Sequence, residues 1–277
     1  MAIVTTNSEH YQAIADAIRL HTGEEYKYYP EDMYLGVSEV YDAGFEAGKA
    51  EGGGGSYEEG FEAGKQVEHD SFWDTFQQNG SRTDYQNAFR GAWWTDANFK
   101  PKYDIAPTGN CGQIFESSGI TDLKGICEAQ GITFDFSQVT YTASPLNNSK
   151  ITRMPTYNVS SIPNLQYICR SASNLVWIDK IVLSEDGTQT FGTGTGNHAF
   201  LYASKLSHCP FEGTIGTSIW FNGNNLLDDE TIQSIIDCLA DLSGQTAQTL
   251  TFHATVGAKL TNAQKATIAT KNWTLVY

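Results

Sequence analysis

Histidine, cysteine and carboxylate side chains are the groups from which catalysis or metal binding would be built. The only candidate chelating pair that contains a histidine is His208 beside Cys209, and adjacent residues do not easily grip one ion. The chain also lacks the GxSxG, P-loop and HExxH motifs. We therefore expect no enzymatic activity, no catalytic or metal-binding residues and no cofactor.

Two weaker catalytic patterns remain. The glycines of 192–196 are spaced like a phosphate-binding loop, but no Lys-Ser/Thr pair follows them. Asp135 and Asp179 would suit a glycosidase if their carboxyl groups lay about 5–10 Å apart, a separation that the sequence does not fix. Such aspartates more often form hydrogen bonds that stabilise turns, and we favour that role here.

Cysteine usage and charge restrict the remaining functions. The five cysteines form an odd set without a CxxC pair, which is a poor framework for disulfides or zinc: Cys111, Cys127, Cys169, Cys209 and Cys238. The net charge of −15 argues against binding to nucleic acid or to anionic membranes. The first residues lack the features of a signal peptide, and no apolar run approaches about 18 residues. We expect synthesis in a cytoplasm and no membrane insertion.

The charge is unevenly distributed, which indicates regions with different roles. Residues 1–100 carry 18 acidic and 7 basic side chains, whereas residues 101–277 carry 14 and 10. The first region is predicted to contain helices that begin near Ser8 and Pro30. A duplicated segment follows, Tyr41–Lys49 and Tyr57–Lys65.

Glycines recur four residues apart within both copies of this segment. Each glycine costs a helix about 1 kcal/mol relative to alanine. Close approach of a neighbouring helix would offset that cost, and partial disorder of the isolated monomer is the alternative. On the first interpretation the copies form the contacts of an oligomer, through Gly44, Phe45, Gly48, Gly60, Phe61 and Gly64.

Aromatic residues crowd the stretch from Phe72 to Tyr103. They could form a stacking platform for sugars or bases. The interpretation that we favour is a small core, because each buried aromatic ring removes about 150–250 Å² from water.

A six-residue motif occurs four times in the next part of the chain, and we call each copy an echo. Each copy has a small polar residue, an aliphatic residue two positions later and another apolar residue three positions after that, and the copies begin at Ser118, Ser149, Ser173 and Ser204. Repeats 24 to 31 residues apart are typical of solenoids, in which each unit buries its apolar face against its neighbours. We therefore expect Ile151, Leu175 and Leu206 to share one core.

The rest of the body is predicted from local signals. Short strands are expected at Gly125–Cys127, Tyr157–Val159, Lys180–Leu183 and Gly213–Ile215, and a protruding loop at 184–200. The last fifty-odd residues are expected to cap the open end of the stack, with a helix from Asp228 to Gly244, a strand Thr249–Val256, a helix begun by the Thr261/Gln264 capping box and a strand Trp273–Tyr277.

Several stretches together resemble one known group of proteins. They are Ile14–Met33, Phe72–Tyr85, Ile151–Pro155, Asn174–Leu183, Phe211–Gly216 and Ile232–Asp241. The combination is similar to BspA-type leucine-rich repeat proteins encoded by tailed phages and prophages of Gram-positive gut bacteria. The resemblance implies a virion structural protein whose repeats contact a host surface, and it brings no catalytic residues.

These observations predict an α+β chain in four parts. Residues 1–70 would form an acidic helical assembly region, 71–109 an aromatic connector, 110–224 a leucine-rich-repeat-like body and 225–277 a C-terminal cap. The expected function is that of a tail-associated structural protein whose partners are other virion proteins, copies of itself and a bacterial surface glycan or protein. A head fibre or capsid decoration protein and a bacterial surface adhesin are the alternatives. The candidate ligand surface consists of Phe191, His198, Tyr202, His208 and Trp220.

Overall fold

A computed structural model describes residues 72–192 and 198–277. The chain divides into two compact units, Met1–Phe72 and Trp73–Tyr277, and the description below concerns the second. The predicted N-terminal helices lie outside the described residues, as do the assembly contacts Gly44, Phe45, Gly48, Gly60, Phe61 and Gly64. Among the described helices, none combines the length and the apolar character needed to cross a membrane.

The described residues combine helices with short strands, which agrees with the predicted α+β class. The helices are α1 (Leu123–Gln130), α2 (Asp229–Cys238), α3 (Ala254–Gly257) and α4 (Asn262–Thr270), and a 3₁₀ turn spans Gln78–Gly80. The strands are β1 (Thr108–Asn110), β2 (Gln138–Tyr141), β3 (Arg153–Met154), β4 (Tyr157–Asn158), β5 (Trp177–Ile178), β6 (Ile181–Val182), β7 (Phe211–Glu212), β8 (Ile219–Phe221), β9 (Gln248–Phe252) and β10 (Trp273–Val276).

The pairings between these strands are parallel. The sheets have the orders β1-β2, β3-β5, β4-β6-β7 and β10-β9-β8. Parallel neighbours require a crossover connection, and here paired residues such as Tyr157 and Ile181 lie 24 positions apart along the chain. Each connection therefore returns the chain to the end of the sheet at which the previous strand began.

The four echoes lie in register. Arg153 pairs with Trp177 between β3 and β5, and isolated bridges join Asp122 to Arg153 and Trp177 to His208. These four residues are the fifth residue of each echo. The spacing seen in the sequence is thus the spacing of the backbone ladder.

The aliphatic residues of the echoes share one hydrophobic core, as predicted. Ile151 is 1% exposed, Leu175 and Leu206 are fully buried, and all three belong to the same cluster of buried side chains. The sixth position of each echo is buried in that cluster as well, as Leu123, Met154, Ile178 and Cys209.

Two of the predicted strands are wrong. Gly125–Cys127 lies in α1, because the side chain of Asp122 accepts a hydrogen bond from the Gly125 N–H and starts a helix. Gly213 follows β7 instead of opening a strand. Its φ is +95°, and a Cβ there would lie 2.6 Å from the carbonyl oxygen of Leu183.

The capping signals in the C-terminal region are confirmed. Asp228 caps α2, and Thr261 with Gln264 forms the predicted capping box of α4. The ends of two elements differ from the prediction. Helix α2 stops at Cys238 because Leu239 is extended and bridges Ile215, and β9 stops at Phe252 because His253 caps α3.

The aromatic stretch forms a core, as the favoured interpretation predicted. Phe89 and Phe99 are fully buried, with ring centroids 4.8 Å apart in an edge-on arrangement. Trp73, Tyr85 and Trp94 are at most 7% exposed. The rings therefore contribute packing energy in place of a continuous open platform.

Candidate functional site

The fifth residues of the echoes form a row along the strand side of the body, which we call the strand row: Asp122, Arg153, Trp177 and His208. Side chains alternate in direction along a strand, so the buried sixth position directs the fifth away from the core. Arg153 and Trp177 are exposed and Asp122 is half-buried, whereas His208 is covered by the Trp177 ring. Trp177 is 37% exposed, although it is large and apolar.

Ion pairs fix the charged side chains around this row. Arg153 Nη1 lies 2.9 Å from the Asp122 carboxylate. Lys124 Nζ lies 2.6 Å from the carboxylate of Asp179 and equally close to that of Glu128. Arg153–Asp122 and Lys124–Asp179 join residues 31 and 55 positions apart, whereas Lys124–Glu128 lies within α1.

Trp177 is held on two sides. Its indole N–H donates to Asp179 Oδ1 at 2.7 Å, and its ring stacks on the His208 imidazole with centroids 3.5 Å apart and planes at 15°. His208 Nδ1 lies 2.7 Å from Asp228 Oδ2. The rotamer of an exposed tryptophan is thus fixed before any ligand arrives, which lowers the entropy lost on binding.

Asp228 connects this cluster to α2. One carboxylate oxygen faces His208, and the other accepts a hydrogen bond from the Thr231 N–H at 2.8 Å. Partial burial raises the pKa of Asp228, but the hydrogen bonds from His208 and Thr231 outweigh that effect and leave the pKa below its ordinary value. The carboxylate is therefore charged at neutral pH.

The two carboxylates considered for a glycosidase pair have structural contacts. Asp135 accepts hydrogen bonds from the backbone N–H and hydroxyl of Ser137. Asp179 is bound to Lys124 and Trp177, as described above. The first contact is the turn role favoured from the sequence, and the second orients an aromatic ring.

The predicted ligand residues differ in exposure. Phe191 is fully buried, so its assignment to a ligand surface is wrong: its ring belongs to the common core. His208 is only 6% exposed and lies beneath Trp177. His198 and Trp220 are half-buried, whereas Tyr202 is 62% exposed.

Sequence reasoning missed Trp177, an exposed residue of the strand row. The signal was available, because Trp177 occupies the fifth position of the third echo, where the other copies have polar residues. A tryptophan at a position where the other copies are polar marks a surface of interest.

The cysteines are free thiols. Burial raises the pKa of Cys127 to about 12 and that of Cys238 to about 11, and it raises the pKa values of Cys111, Cys169 and Cys209 as well. Thiols in this condition are poor nucleophiles and poor metal ligands at neutral pH. Within 72–192 and 198–277, no group of three or more His, Cys, Asp or Glu side chains is placed to hold a metal ion.

A cleft of about 310 Å³ lies between α2 and α4. Its lining residues are Asp229, Ile232, Gln233, Lys259, Leu260, Thr261 and Gln264. The Gln264 amide donates to Gln233 Oε1 at 3.0 Å, so part of the polar lining is already paired.

Comparison with known proteins gives no relative: no protein family, no curated protein and no solved structure matches this chain.

Proposed function

We propose that this chain is a non-enzymatic structural protein of a phage virion, associated with the tail. Its N-terminal helices would serve assembly and docking, and its body would bind the surface of the host bacterium. The proposal combines the resemblance to BspA-type leucine-rich repeat proteins with the geometry of the strand row.

The observation that carries the proposal is the register of the four echoes. Their fifth residues form one ladder, and their aliphatic residues share one core. We interpret this arrangement as a short leucine-rich-repeat-like stack. In such a stack each unit is stabilised by its neighbours, so residues on the outer surface are free to vary with the ligand.

The chemistry of the strand row suits a binding surface. Trp177 offers a large ring of fixed orientation, and charged groups whose positions are set by ion pairs surround it. Anchors of this kind dominate the energy of protein interfaces. His208 has its ring stacked on Trp177 and one nitrogen bound to Asp228, an arrangement that orients the tryptophan.

Cell binding tests the role of the row. The labelled full chain is titrated onto host cells as wild type, as Trp177→Ala and as Trp93→Ala, a matched control because Trp93 is a 46% exposed tryptophan elsewhere on the body. We expect Trp177→Ala to weaken binding about tenfold, since buried interface tryptophans contribute more than about 1 kcal/mol. Equal effects of the two substitutions would refute the assignment.

Particle imaging tests the location. Gold-labelled antibodies against the chain should mark the tail of intact virions. Label on the head would support the fibre or decoration alternative, and particles without label would refute a virion role.

A reducing-end assay on host wall polysaccharide tests the absence of catalysis. We expect no release of reducing ends, and turnover that one carboxylate substitution abolishes would refute the non-enzymatic assignment.

Light scattering tests assembly. We expect the full chain to be an oligomer, and Gly44→Leu with Gly60→Leu to dissociate it by blocking close helix contact. A monomeric wild-type chain that also fails to bind purified tails would contradict the assembly role.

A further inference from the structure

Backbone hydrogen bonds join the two stretches of chain that directly precede the third and fourth echoes. Cys169 N donates to Ala199 O at 2.9 Å, and Ser171 N donates to Leu201 O at 2.8 Å. Residues 167–171 and 198–202 therefore run side by side, although they are about thirty positions apart along the chain.

Just before each echo, the chain passes through a residue whose backbone has the left-handed conformation, at a bend that we call the corner. Ser117, Asn148, Ser171 and Tyr202 have φ values of 58°, 54°, 57° and 65°. Short polar side chains tolerate this conformation, whereas a bulky one is unusual there. Tyr202 breaks the pattern, and its ring is 62% exposed. A strained position that displays a large ring without using it for packing is a functional candidate.

Other aromatic and cationic groups lie in the same two stretches. Tyr167 and His198 stack with centroids 6.5 Å apart and planes at 18°. The Arg170 guanidinium carbon lies 5.2 Å from the centre of the Tyr167 ring. Together with Lys205, which is exposed three positions after Tyr202, these residues form what we call the corner patch: Tyr167, Arg170, His198, Tyr202 and Lys205.

The corner patch lies in sequence that lacks acidic residues. There is no aspartate or glutamate in 136–178 or in 187–211, in a chain whose net charge is −15. Asp122 and Asp179 lie at the strand row. Glu116 lies beside the first corner residue, Ser117, where it is paired with Arg90 and Asn147.

The cations of the patch lack carboxylate partners. Among the described residues, Arg170 contacts a tyrosine ring and Lys205 contacts the side-chain oxygen of Asn174 at 3.2 Å, and neither lies within ion-pair distance of an acid. The cations near the strand row differ, since Lys124, Arg153 and Lys180 are all ion-paired. The patch is thus a local region of positive charge.

We propose that the corner patch binds an anionic saccharide. The tyrosine rings would contact the C–H faces of the sugar, and Arg170 and Lys205 would pair with its carboxylate or phosphate groups. The proposal rests on host-surface binding as the proposed function and names the chemical class of the ligand.

The rest of the chain restricts which anions fit. A nucleic acid carries negative charge along its whole length and would be repelled by a chain whose net charge is −15. A saccharide with spaced anionic groups can place one of them at the patch, because charges farther than about 8 Å away are screened at physiological salt. The tyrosine rings add contacts to the sugar ring, which a site made of ion pairs alone would lack.

The test measures binding of the full chain to three immobilised polymers. Hyaluronate carries carboxylates, phosphomannan carries phosphates, and dextran is neutral. We expect binding to at least one anionic polymer and none to dextran, with binding lost at about 1 M salt, where the screening length falls to about 3 Å. Comparison of hyaluronate with phosphomannan distinguishes the two anions.

Matched variants locate the site. Lys205→Gln is compared with Lys180→Gln, a strand-side lysine, and Tyr202→Ser with Tyr141→Ser, an exposed tyrosine in β2. We expect the corner variants to weaken binding about fivefold and the controls to leave it unchanged. Tyr202→Ser places at the corner the residue type already found at Ser171, so the variant retains a tolerated backbone.

Three results would overturn the proposal: binding of dextran as tight as that of the anionic polymers, no binding of either anionic polymer, or equal losses in the corner and control variants. A wild-type chain that binds host cells but neither anionic polymer would refute the corner patch and leave the proposed function standing. Polymer binding that depends on the corner residues, in a chain that does not bind host cells, would support the patch and contradict the proposed function.

Discussion

Asp228 offers a direct test of how the strand row is joined to the C-terminal region. Its carboxylate caps α2 through the Thr231 N–H and also holds the His208 imidazole. Asp228→Ala removes both contacts. Asp228→Asn retains a good capping oxygen and removes only the charge, so the two variants separate the two contributions.

The expected magnitudes follow from these contacts. Loss of a helix N-cap costs about 1 kcal/mol of unfolding free energy. The charged contact to His208 adds about 0.5 kcal/mol, a low value because the Asp228 side chain is 41% exposed. We expect Asp228→Ala to lower the free energy of unfolding by about 1.5 kcal/mol and Asp228→Asn to lower it by about 0.5 kcal/mol.

The charge contribution depends on pH in a defined direction. The pKa of Asp228 is lower in the folded protein than its ordinary value. The stabilisation is therefore complete above the unfolded pKa of about 3.9 and is lost as the pH falls through the folded pKa. The difference in stability between wild type and Asp228→Asn should shrink below about pH 4.

Urea unfolding at neutral and acidic pH measures these quantities, with tryptophan fluorescence and circular dichroism as probes. The comparison between the two variants is the control for unrelated carboxylates that titrate in the same range. Equal losses in Asp228→Ala and Asp228→Asn would contradict the capping role. A difference between wild type and Asp228→Asn that grows on acidification would contradict the pKa argument.

Other substitutions test the core and its chemistry. Tyr157→Phe should raise the unfolding free energy by about 1 kcal/mol, because the buried Tyr157 hydroxyl has no hydrogen-bond partner among the described residues; a large loss in urea unfolding would show that it is bonded. Leu175→Ala should cost about 3–5 kcal/mol in the same assay, and a loss below about 1 kcal/mol would contradict a shared core. Gly213→Ala should cost more than about 1 kcal/mol through its positive φ, and an unchanged unfolding midpoint would refute this. A thiol reagent should modify Cys238 before the buried cysteines, as mass spectrometry of digested protein would show; faster labelling of Cys169 would contradict the burial argument.

Local signals in the sequence predicted part of the fold correctly. The caps at Asp228 and Thr261 were predicted because a capping side chain bonds to backbone only three residues away. The echoes predicted their own register, since the same spacing that repeats in the sequence joins Arg153 to Trp177 in the structure. These features depend on neighbouring residues or on a repeat that can be counted.

Element ends and burial were less predictable. Asp122 starts a helix in one unit, whereas Arg153 at the same position of the next unit begins a strand. Phe191 lies in a segment rich in glycine and threonine that is typical of an exposed loop, yet its ring enters the core. Local composition does not predict which apolar side chain is buried, because burial depends on contacts with residues that are distant in the sequence.

The strand row and the corner patch show which features the sequence determines and which depend on the tertiary structure. The sequence determined that the repeated aliphatic residues would be buried together. Only the tertiary structure stacked Tyr167 on His198, placed the stretch of Ser171 against that of Leu201, and set the ring of Trp177 on His208. The physical reason is that each contact between turns closes a loop of about thirty residues, and which side chains then meet depends on how every intervening residue is packed.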